Sequence, residues 1–288
     1  MKFPISNREM GVAWCNGRFL NDYELKVSAF DRGLCHGLSL FETILSVNGR
    51  PRLVTEHLDR LRLGLERLGV LSVELADDEL RNAMIALLEK NNLTAGTARI
   101  RFAVSLGDGS LNRIDCGSAW AWMTASEVGE ISQKIKMTLA PWRRDTESVL
   151  RGLKVGNYAE HLIAMDLARR EGCDEMLFYN TSDEVCEAAM ANIFLIRGGC
   201  IFTPSLESGC LAGVTRALVM RLAAEHGIPC QEKPLSRADV KKSDGFFLTS
   251  SVKGPVWVSE FQGRSYEEHA LFGAIRRLWA EEMTSANR

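Results

Sequence analysis

The sequence predicts an α+β protein made of two α/β domains. Its 288 residues, 46% of them apolar, are enough for a sizeable core in each of two ordinary domains. Strand-like segments, in which every second residue is apolar, alternate with helix-like segments, in which apolar residues recur every three to four positions. The segment 125–132 is polar and has neither periodicity. We therefore predict a smaller N-terminal domain 1–124, a linker 125–132 and a larger C-terminal domain 133–288.

Turn dipeptides and leucine stripes define the elements of the N-terminal domain. Asn16-Gly17 and Asn48-Gly49 supply residues that tolerate positive φ, which predicts two β-hairpins. Thr55 can cap the helix that follows the second hairpin, and residues 78–90 predict another helix. The buried stripes of these helices are Leu58, Leu61, Leu65 and Leu68, then Leu80, Met84, Leu87 and Leu88. Residues 98–106 alternate between apolar and polar side chains, which predicts a strand with one polar face.

The C-terminal domain is predicted to alternate strands and helices around a basic loop. One helix begins near Tyr158 and ends at Gly172, a C-cap glycine. Its residues expected to face a core are Leu162, Met165, Leu167 and Ala168. Two further helices are predicted, over 214–226 and 267–283. The predicted strands are 136–140, 175–179, 184–188, 193–196, 200–203 and 246–248, with Gly198-Gly199 as the turn between the fourth and the fifth.

Composition argues against nucleic-acid, membrane and metal-binding functions. The formal charge is -2 and no run of Lys or Arg is longer than a pair, so neither a nucleic acid nor an anionic membrane is an expected partner. No apolar run reaches membrane-spanning length, and Met1–Ser6 lacks the apolar core of a signal peptide, which predicts a soluble, cytoplasmic protein. The eight cysteines are scattered without a Cys-x-x-Cys pair, so we expect reduced thiols and no structural metal.

Lys154 is the residue around which the candidate chemistry is arranged. It lies between a basic loop and the helix that begins near Tyr158, beside glycines and an apolar helix face. Such a setting favours partial desolvation of the amine. Because desolvation disfavours the ammonium form, it lowers the pKa of a lysine and frees the amine to form a Schiff base. A solvated surface charge is the commoner role of a lysine.

Further groups in the sequence suit a phosphorylated pyridine cofactor. Glu187 lies in a neutral apolar strand, where a carboxylate needs a partner, either a loop arginine or a protonated ring nitrogen. Gly213–Arg216 opens a helix whose free N–H groups can hold a phosphate, although a plain N-cap is commoner. Thr249–Ser251 places hydroxyls at the end of a buried strand, and Arg60 can clamp a phosphate or simply face solvent. An amine, a carboxylate and phosphate donors together are what pyridoxal 5′-phosphate requires.

Six motifs follow one another in a fixed order between Asn16 and about Val258. They are Phe41-Glu42-Thr43, Glu56-His57-Leu58-Asp59-Arg60-Leu61, Trp142-Arg143-Arg144, Lys154 with Gly156-Asn157-Tyr158, Glu187 with Ala191-Asn192-Ile193-Phe194, and Leu211-Ala212-Gly213-Val214-Thr215-Arg216. In this order they resemble the fold-type IV pyridoxal-phosphate enzymes, the class-IV aminotransferases. This family includes branched-chain and D-amino-acid aminotransferases, (R)-amine transaminases and aminodeoxychorismate lyases. The resemblance implies that the cofactor lies between a smaller N-terminal and a larger C-terminal domain, in a homodimer.

The resemblance also implies roles for individual residues. Lys154 would form the Schiff base with the cofactor and later move the proton, and Glu187 would keep the pyridine nitrogen protonated. Tyr158 would reach the phenolic oxygen of the cofactor. Further implied cofactor contacts are Asn192 and, on the phosphate, Arg60, Val214, Thr215 and Ser251. The implied substrate contacts are His36, Phe41, Arg101 and Val252.

Departures from the family pattern concern the substrate. His36 stands where the branched-chain enzymes have an aromatic ring, and Leu106 where D-amino-acid aminotransferases and many lyases have an arginine. Phe41-Glu42-Thr43 lacks the Gly-Ile-Arg ending of the branched-chain motif. We expect an amino group to move from a small amino acid or amine to a 2-oxo acid, with D-alanine a poor donor. The alternative is a 4-amino-4-deoxychorismate lyase, against which Gly156-Asn157-Tyr158 favours the aminotransferase.

A Ser-x-x-Lys acyl hydrolase is a distant alternative from another class of enzyme. Ser250 and Lys253 match the nucleophile motif of that class. The motif requires a serine at the start of a helix and companion Lys-Thr-Gly and Ser-Asp-Asn motifs, and the sequence has neither companion.

Overall fold

A computed structural model describes residues 11–70, 76–115 and 118–285. The predicted absence of a signal sequence at Met1–Ser6 concerns residues outside these ranges. The chain divides into two compact units, residues 1–128 and residues 129–288, which we call the N-terminal unit and the C-terminal unit. No helix within the described ranges combines the length and the apolar composition needed to cross a membrane.

The N-terminal unit contains one antiparallel sheet and three α-helices among its described residues. The strands are β1 (Val12–Cys15), β2 (Arg18–Asn21), β3 (Ser39–Val47), β4 (Arg50–Pro51), β5 (Thr97–Ser105) and β6 (Trp120–Glu127). The helices are α1 (Arg32–His36), α2 (Val54–Arg67) and α3 (Asp77–Lys90). The sheet order is β2-β1-β6-β5-β3-β4, and β3 pairs with β5 along its whole length, from Ser39 opposite Ser105 to Val47 opposite Thr97.

Both predicted hairpin turns are present. Asn16 and Gly17 have φ values of 44° and 84°, and Asn48 and Gly49 have φ values of 50° and 74°. The leucine stripe of α2 is buried as predicted at Leu58, Leu61 and Leu65, with Leu68 half-buried. The predicted cap was wrong, because α2 already begins at Val54 and its N-cap is Leu53, which adopts a left-handed conformation. Thr55 therefore lies within the first turn.

The predicted linker 125–132 begins inside a strand. Ala125, Ser126 and Glu127 are the last residues of β6 and pair with Ile100, Arg99 and Ala98 of β5. The polar appearance of this segment reflects the alternation of a strand with one exposed face. The boundary between the two units follows Val128, whose N–H still donates to the Thr97 carbonyl at 3.1 Å.

Within its described residues, 129–285, the C-terminal unit is built on a mixed sheet of nine strands. The strands are β7 (Lys134–Leu139), β8 (Glu175–Tyr179), β9 (Val185–Ala188), β10 (Asn192–Arg197), β11 (Cys200–Thr203), β12 (Cys230–Glu232), β13 (Gly245–Ser250), β14 (Gly254–Phe261) and β15 (Arg264–Ser265). The helices are α4 (Ala159–Arg170), α5 (Val214–Glu225), α6 (Arg237–Lys241) and α7 (Ala270–Thr284). The order is β12-β11-β10-β13-β14-β7-β8-β9, with β15 paired to β14.

Strand β14 lies between β13 and β7 and was not predicted. It opens with Gly254-Pro255, a dipeptide typical of turns, yet its register pairs Phe247 with Trp257 and continues into the sheet. The Trp257 ring is fully buried against Phe272 of α7, with ring centroids 5.2 Å apart. Long-range packing therefore overrides the local turn signal.

Helix α4 buries Ala168 and packs half-buried Met165 and Leu167 against the core, as predicted, but it exposes Leu162. Leu162 and Ile163 are 60% and 54% exposed, whereas His161, Ala164 and Ala168 are buried. The buried stripe is made of small residues and one imidazole because it packs closely on the β8 and β9 side chains Met176, Phe178 and Cys186. Leu162 is therefore the wrong member of the predicted stripe, while His161 and Ala164 were missed because they are not large apolar residues.

We expect Gly245→Ala to destabilise the C-terminal unit. An added Cβ would overlap the buried Trp257 ring, and such overpacking costs about 1–3 kcal/mol. Gly273→Ala in α7 is the matched control, because a Cβ there meets nothing within 4 Å and should stabilise the helix by about 0.5–1 kcal/mol. Urea denaturation measures both changes; equal stabilities for the two variants would contradict this packing.

Candidate active site

Lys154 lies in the C-terminal unit on the loop that leads into α4. Its side chain is half-buried, and its Nζ atom is 5.1 Å from the centroid of the Tyr158 ring. Tyr158 occupies the N-cap position of α4. The Lys154 charge also reaches Glu187 and His161, where it opposes the protonated form of each side chain. The amine, the phenol and the carboxylate are therefore neighbours.

Glu187 is a buried carboxylate in the strand β9, all of whose residues are buried. Its side chain accepts a hydrogen bond from the Leu211 N–H at 3.0 Å. Burial raises the pKa of Glu187, while the Leu211 N–H and the charges of Arg144 and Lys154 partly oppose that rise. A carboxylate held in this way is ready to share a proton with a basic nitrogen.

Asn192 joins the segments that surround Glu187. Its Nδ2 donates to the Leu211 carbonyl at 2.8 Å, so Leu211 is held through its N–H by Glu187 and through its C=O by Asn192. In the sheet Asn192 pairs with Thr249 of β13. A Cβ on Gly213 would overlap the Asn192 Oδ1 atom, so the chain can approach this closely only with glycine there.

The N-terminus of α5 follows directly. Gly213 is the N-cap and has no side chain with which to cap the helix, and no acidic residue lies in the first turn. Val214 and Thr215 are the first two residues of the helix, where backbone N–H groups have no partner within the helix. Arg216 is directed elsewhere, since it donates to the Pro204 carbonyl at 2.8 Å and pairs with Glu232. The helix start can therefore receive an anion.

The turn between β13 and β14 completes the candidate site in this unit. The Thr249 Oγ1 atom is buried and, among the described residues, has no hydrogen-bond partner. Ser251 and Val252 are half-buried in the turn itself. Ser250 is the last residue of β13, so the Ser-x-x-Lys match to Lys253 lies at a strand end and lacks the helical setting that a hydrolase nucleophile needs.

Arg60 of the N-terminal unit is fixed by a buried carboxylate. Its Nε donates to Glu42 at 2.8 Å, and the Nδ1 atom of His57 lies 2.7 Å from the same carboxylate. Burial by itself would raise the pKa of Glu42, but the Arg60 charge and the hydrogen bonds from His57 and Arg60 lower it to about 2. Two of the sequence motifs therefore contact each other, and phosphate binding by Arg60 stays a prediction.

The predicted substrate residues of the N-terminal unit have different environments. Phe41 is buried, and the Arg101 guanidinium lies over its ring at 3.9 Å from the centroid, a cation–π contact. His36 is exposed at the end of α1. Leu106 is 1% exposed and fills the core of the unit.

Two buried titratable residues, His161 and Glu175, were not among the predicted site residues. The His161 ring stacks on Tyr158 with centroids 4.1 Å apart, and its Nδ1 atom lies 2.6 Å from the Ala189 carbonyl. Glu175 at the start of β8 accepts from the Met190 N–H at 3.2 Å. The spacing of His161, three residues after Tyr158 on a helix, indicated a shared face. For Glu175 the sequence shows only a charged residue at the start of an apolar strand, which does not indicate a site residue.

Burial favours the neutral form of both residues, so it shifts their pKa values in opposite directions. It lowers the pKa of His161 to about 4, with the charges of Arg144 and Lys154 adding to the effect. It raises the pKa of Glu175 to about 7, against the charge of Lys253 and hydrogen bonds from backbone N–H groups. Both side chains are therefore held neutral over part of the pH range in which they would ordinarily be charged.

Comparison with known proteins gives one family match and relatives of two activities. Residues 39–261 match the family model described as Amino-transferase class IV. A putative branched-chain-amino-acid aminotransferase from Methanocaldococcus jannaschii is 30% identical over 254 residues, 87% of this chain and 88% of that protein. An aminodeoxychorismate lyase from Bacillus subtilis is 26% identical over 278 residues, 94% of each chain. A solved branched-chain amino acid aminotransferase from Escherichia coli has a TM-score of 0.88 and 26% identity, covering 97% of each chain.

We expect His161 and Glu175 to give opposite pH dependences of stability. Between pH 4 and 6.5 the unfolded chain protonates its histidine while folded His161 stays neutral, so this residue makes stability rise with pH. Between pH 4.5 and 7 the unfolded chain ionises its glutamate while folded Glu175 keeps its proton, so stability falls with rising pH. Each effect amounts to at most roughly 3 kcal/mol.

Chemical denaturation from pH 4 to pH 8 measures this balance. The His161→Asn variant lacks the contribution that makes stability rise with pH and keeps that of Glu175. The free energy of unfolding of this variant should therefore fall relative to that of the wild type as the pH rises. Glu175→Gln should produce the opposite slope. Two variants whose profiles run parallel to the wild-type profile would contradict the burial of these groups in their neutral forms.

Proposed function

The chain belongs to the class IV aminotransferase family, and we propose that it moves an amino group between a small amino acid or amine and a 2-oxo acid, with Lys154 bonded covalently to the cofactor. Enzymes of this family use pyridoxal 5′-phosphate, and the fold is that of the fold-type IV enzymes. The chain is therefore a pyridoxal-phosphate-dependent enzyme of the aminotransferase or lyase type. The setting of Lys154 beside Tyr158 and Glu187 is the observation that carries the proposal.

The side chains of the C-terminal unit fit this cofactor. The start of α5 has a glycine N-cap and no acidic residue in its first turn, which suits a phosphate held by the Val214 and Thr215 amides. The buried Thr249 hydroxyl has no hydrogen-bond partner among the described residues and lies on the strand that leads into the turn with Ser251. Glu187 supplies the carboxylate that a pyridine nitrogen needs. These observations support Val214, Thr215, Ser251 and Glu187 as cofactor contacts.

Lys154 is the proposed catalytic residue. When bound, pyridoxal 5′-phosphate would supply an electron sink for the substrate carbon once the substrate amine has replaced the Lys154 Nζ atom on it, which leaves that Nζ atom as a free amine. The Lys154 Nζ atom then removes the proton from that carbon and later returns it. General base catalysis of this kind contributes about 10²–10⁴-fold in rate. The charge of Arg144, which also acts on His161 and Glu187, adds a second cation to this neighbourhood.

Glu187 and Tyr158 are the proposed residues on the cofactor ring. Glu187 would hold a proton on the ring nitrogen through a charge-assisted hydrogen bond, and that positive charge would offset the burial that raises the pKa of the carboxyl. Tyr158 stacks on His161, and its hydroxyl would bind the phenolic oxygen of the cofactor. Asn192 keeps the Leu211 peptide in place beside Glu187.

The N-terminal residues of the proposal rest on the family resemblance. Arg60 is proposed as a phosphate ligand and His36, Phe41 and Arg101 as substrate contacts, together with Val252 of the C-terminal unit. The Arg101 guanidinium lies over the Phe41 ring, which supports its use as a donor of hydrogen bonds to the substrate carboxylate. A homodimer is the proposed assembly.

A 4-amino-4-deoxychorismate lyase is the second candidate function. The Bacillus subtilis relative with that activity aligns over 94% of both chains. Phe41-Glu42-Thr43 also lacks the branched-chain ending. In a lyase the same Lys154 base would serve C–O cleavage, giving pyruvate and 4-aminobenzoate.

We expect Lys154→Ala to abolish covalent attachment of the cofactor and to lower turnover by about 10²–10⁴-fold or more. Borohydride reduction followed by peptide mass spectrometry should place the phosphopyridoxyl group on Lys154 of the wild-type protein. Lys136→Ala is the matched control, since this exposed lysine pairs with Glu260 at 3.0 Å. Modification of another lysine, or wild-type turnover by Lys154→Ala, would refute the assignment.

A half-reaction panel should distinguish the donors. L-amino acids and primary amines should bleach the yellow enzyme. D-alanine should bind about ten- to a hundredfold more weakly, which corresponds to the free energy of one charge-assisted hydrogen bond. The reason is Leu106, which is buried where an arginine would serve a D-amino acid. Efficient exchange between D-alanine and 2-oxoglutarate would contradict this argument. Stoichiometric pyruvate and 4-aminobenzoate from aminodeoxychorismate would establish the lyase instead.

A further inference from the structure

One peptide group between β9 and β10 is held on both sides by buried titratable side chains. His161 Nδ1 lies 2.6 Å from the carbonyl oxygen of Ala189, and Glu175 accepts at 3.2 Å from the N–H of Met190. This C=O and this N–H belong to the same peptide plane. The plane lies two residues after Glu187 and two residues before Asn192.

The hydrogen bonds fix the chemical form of the imidazole. A carbonyl only accepts, so the Nδ1 atom of His161 must carry a proton. His161 is 7% exposed and Glu175 is 3% exposed, so water competes little with either bond. A donor on the carbonyl and an acceptor on the N–H polarise the peptide in the same sense, and each bond strengthens the other.

The surrounding backbone shows what this peptide controls. The Ala189 N–H donates to the Met176 carbonyl, and the Ala188 N–H donates to the Ala191 carbonyl, so the connection is a closed turn. A rotation of the Ala189–Met190 plane would break both side-chain bonds together. It would also move the residues next to it in the chain, which lead back to Glu187 and forward to Asn192.

Each of the two side chains also contacts a further part of the site. The His161 ring stacks on Tyr158 with an interplanar angle of 14°. Glu175 lines a cavity of about 30 Å³ together with Ser250, the last residue of β13, and Lys253 of the turn that carries Ser251. The charged groups that act on the pair are Arg144 and Lys154 for His161 and Lys253 for Glu175.

We propose that His161 and Glu175 are positioning residues which, by clamping the Ala189–Met190 peptide, set the placement of Glu187 and Asn192 against the cofactor ring. This inference rests on the function proposed above. Burial of these two ionisable residues is unfavourable for stability, and the clamp explains what function their burial serves. Neither residue touches the reacting atoms.

Pairs of variants separate the hydrogen bonds from packing. His161→Phe keeps an aromatic ring for stacking but loses the donor, and His161→Asn keeps a donor near the Nδ1 position. Glu175→Leu loses the acceptor, and Glu175→Gln keeps an acceptor oxygen. Ser243→Ala is the control, because it also removes a buried bond from a side chain to a carbonyl, that of Val240 at 2.7 Å, in the same unit.

The readouts are the affinity for pyridoxal 5′-phosphate and the pH midpoint of the visible absorbance of the holoenzyme. Loss of one bond in His161→Phe or Glu175→Leu should weaken cofactor binding about tenfold and shift the pH midpoint, while His161→Asn and Glu175→Gln should restore binding to within about threefold. Ser243→Ala should change stability without changing the spectrum.

The outcomes separate this inference from the function it rests on. If wild type binds the cofactor and turns over while His161→Phe and Glu175→Leu keep the wild-type midpoint and affinity, the clamp is wrong and the function stands. If wild type does not bind the cofactor, both fail. If the leucine variant does not fold, hydrogen exchange of the Glu175→Gln variant is the test. Above pH 7 the wild-type side chain is an ionised carboxylate, whereas the variant offers only a neutral amide oxygen, so its Met190 N–H must exchange faster. An unchanged exchange rate would overturn the proposal.

Discussion

The buried carboxylate of Glu187 is the constraint on which the C-terminal unit depends. An ionised group in a fully buried strand is unfavourable unless hydrogen bonds and opposite charges offset its desolvation. The chain supplies the Leu211 N–H directly and the charges of Arg144 and Lys154 at longer range, and burial still raises the pKa of the carboxyl. A protonated ring nitrogen would complete this environment. The structure is therefore arranged around a charge that its own side chains only partly balance.

The strand order of the sheet brings Asn192, Thr249 and the start of α5 close to one another. Because β10 pairs with β13, Asn192 lies opposite Thr249 at the start of the turn that contains Ser251. Asn192 also holds the Leu211 carbonyl, and Gly213 passes so close to it that no larger residue fits. The start of α5 follows immediately. Three segments distant in sequence are thus fixed to one another by backbone pairing and by a single amide side chain.

Local chemistry made part of this structure predictable. Asn16-Gly17 and Asn48-Gly49 specify their turns because those residues tolerate positive φ, and the leucines of α2 specify a face because their spacing matches the helix. Family motifs predicted Lys154, Glu187 and Asn192 as site residues, and all three lie near the Leu211 segment or its partner Glu187 in the C-terminal unit. Features decided by distant contacts were missed or misplaced: β14 begins like a turn but is buried by its neighbours, and α4 buries His161 and Ala164 while it exposes Leu162. Glu175 could not be recognised, because its partner is a backbone N–H brought near by the fold.

The protonation state of the cofactor nitrogen tests the central claim most directly. Nitrogen-15 NMR of the protein loaded with cofactor labelled at the ring nitrogen reports that state, and Glu187→Gln serves as the comparison. We predict a protonated nitrogen in the wild-type protein across the neutral pH range and loss of that signature in the variant. An unprotonated nitrogen in the wild-type protein, or the same signal in both proteins, would contradict the role assigned to the buried carboxylate.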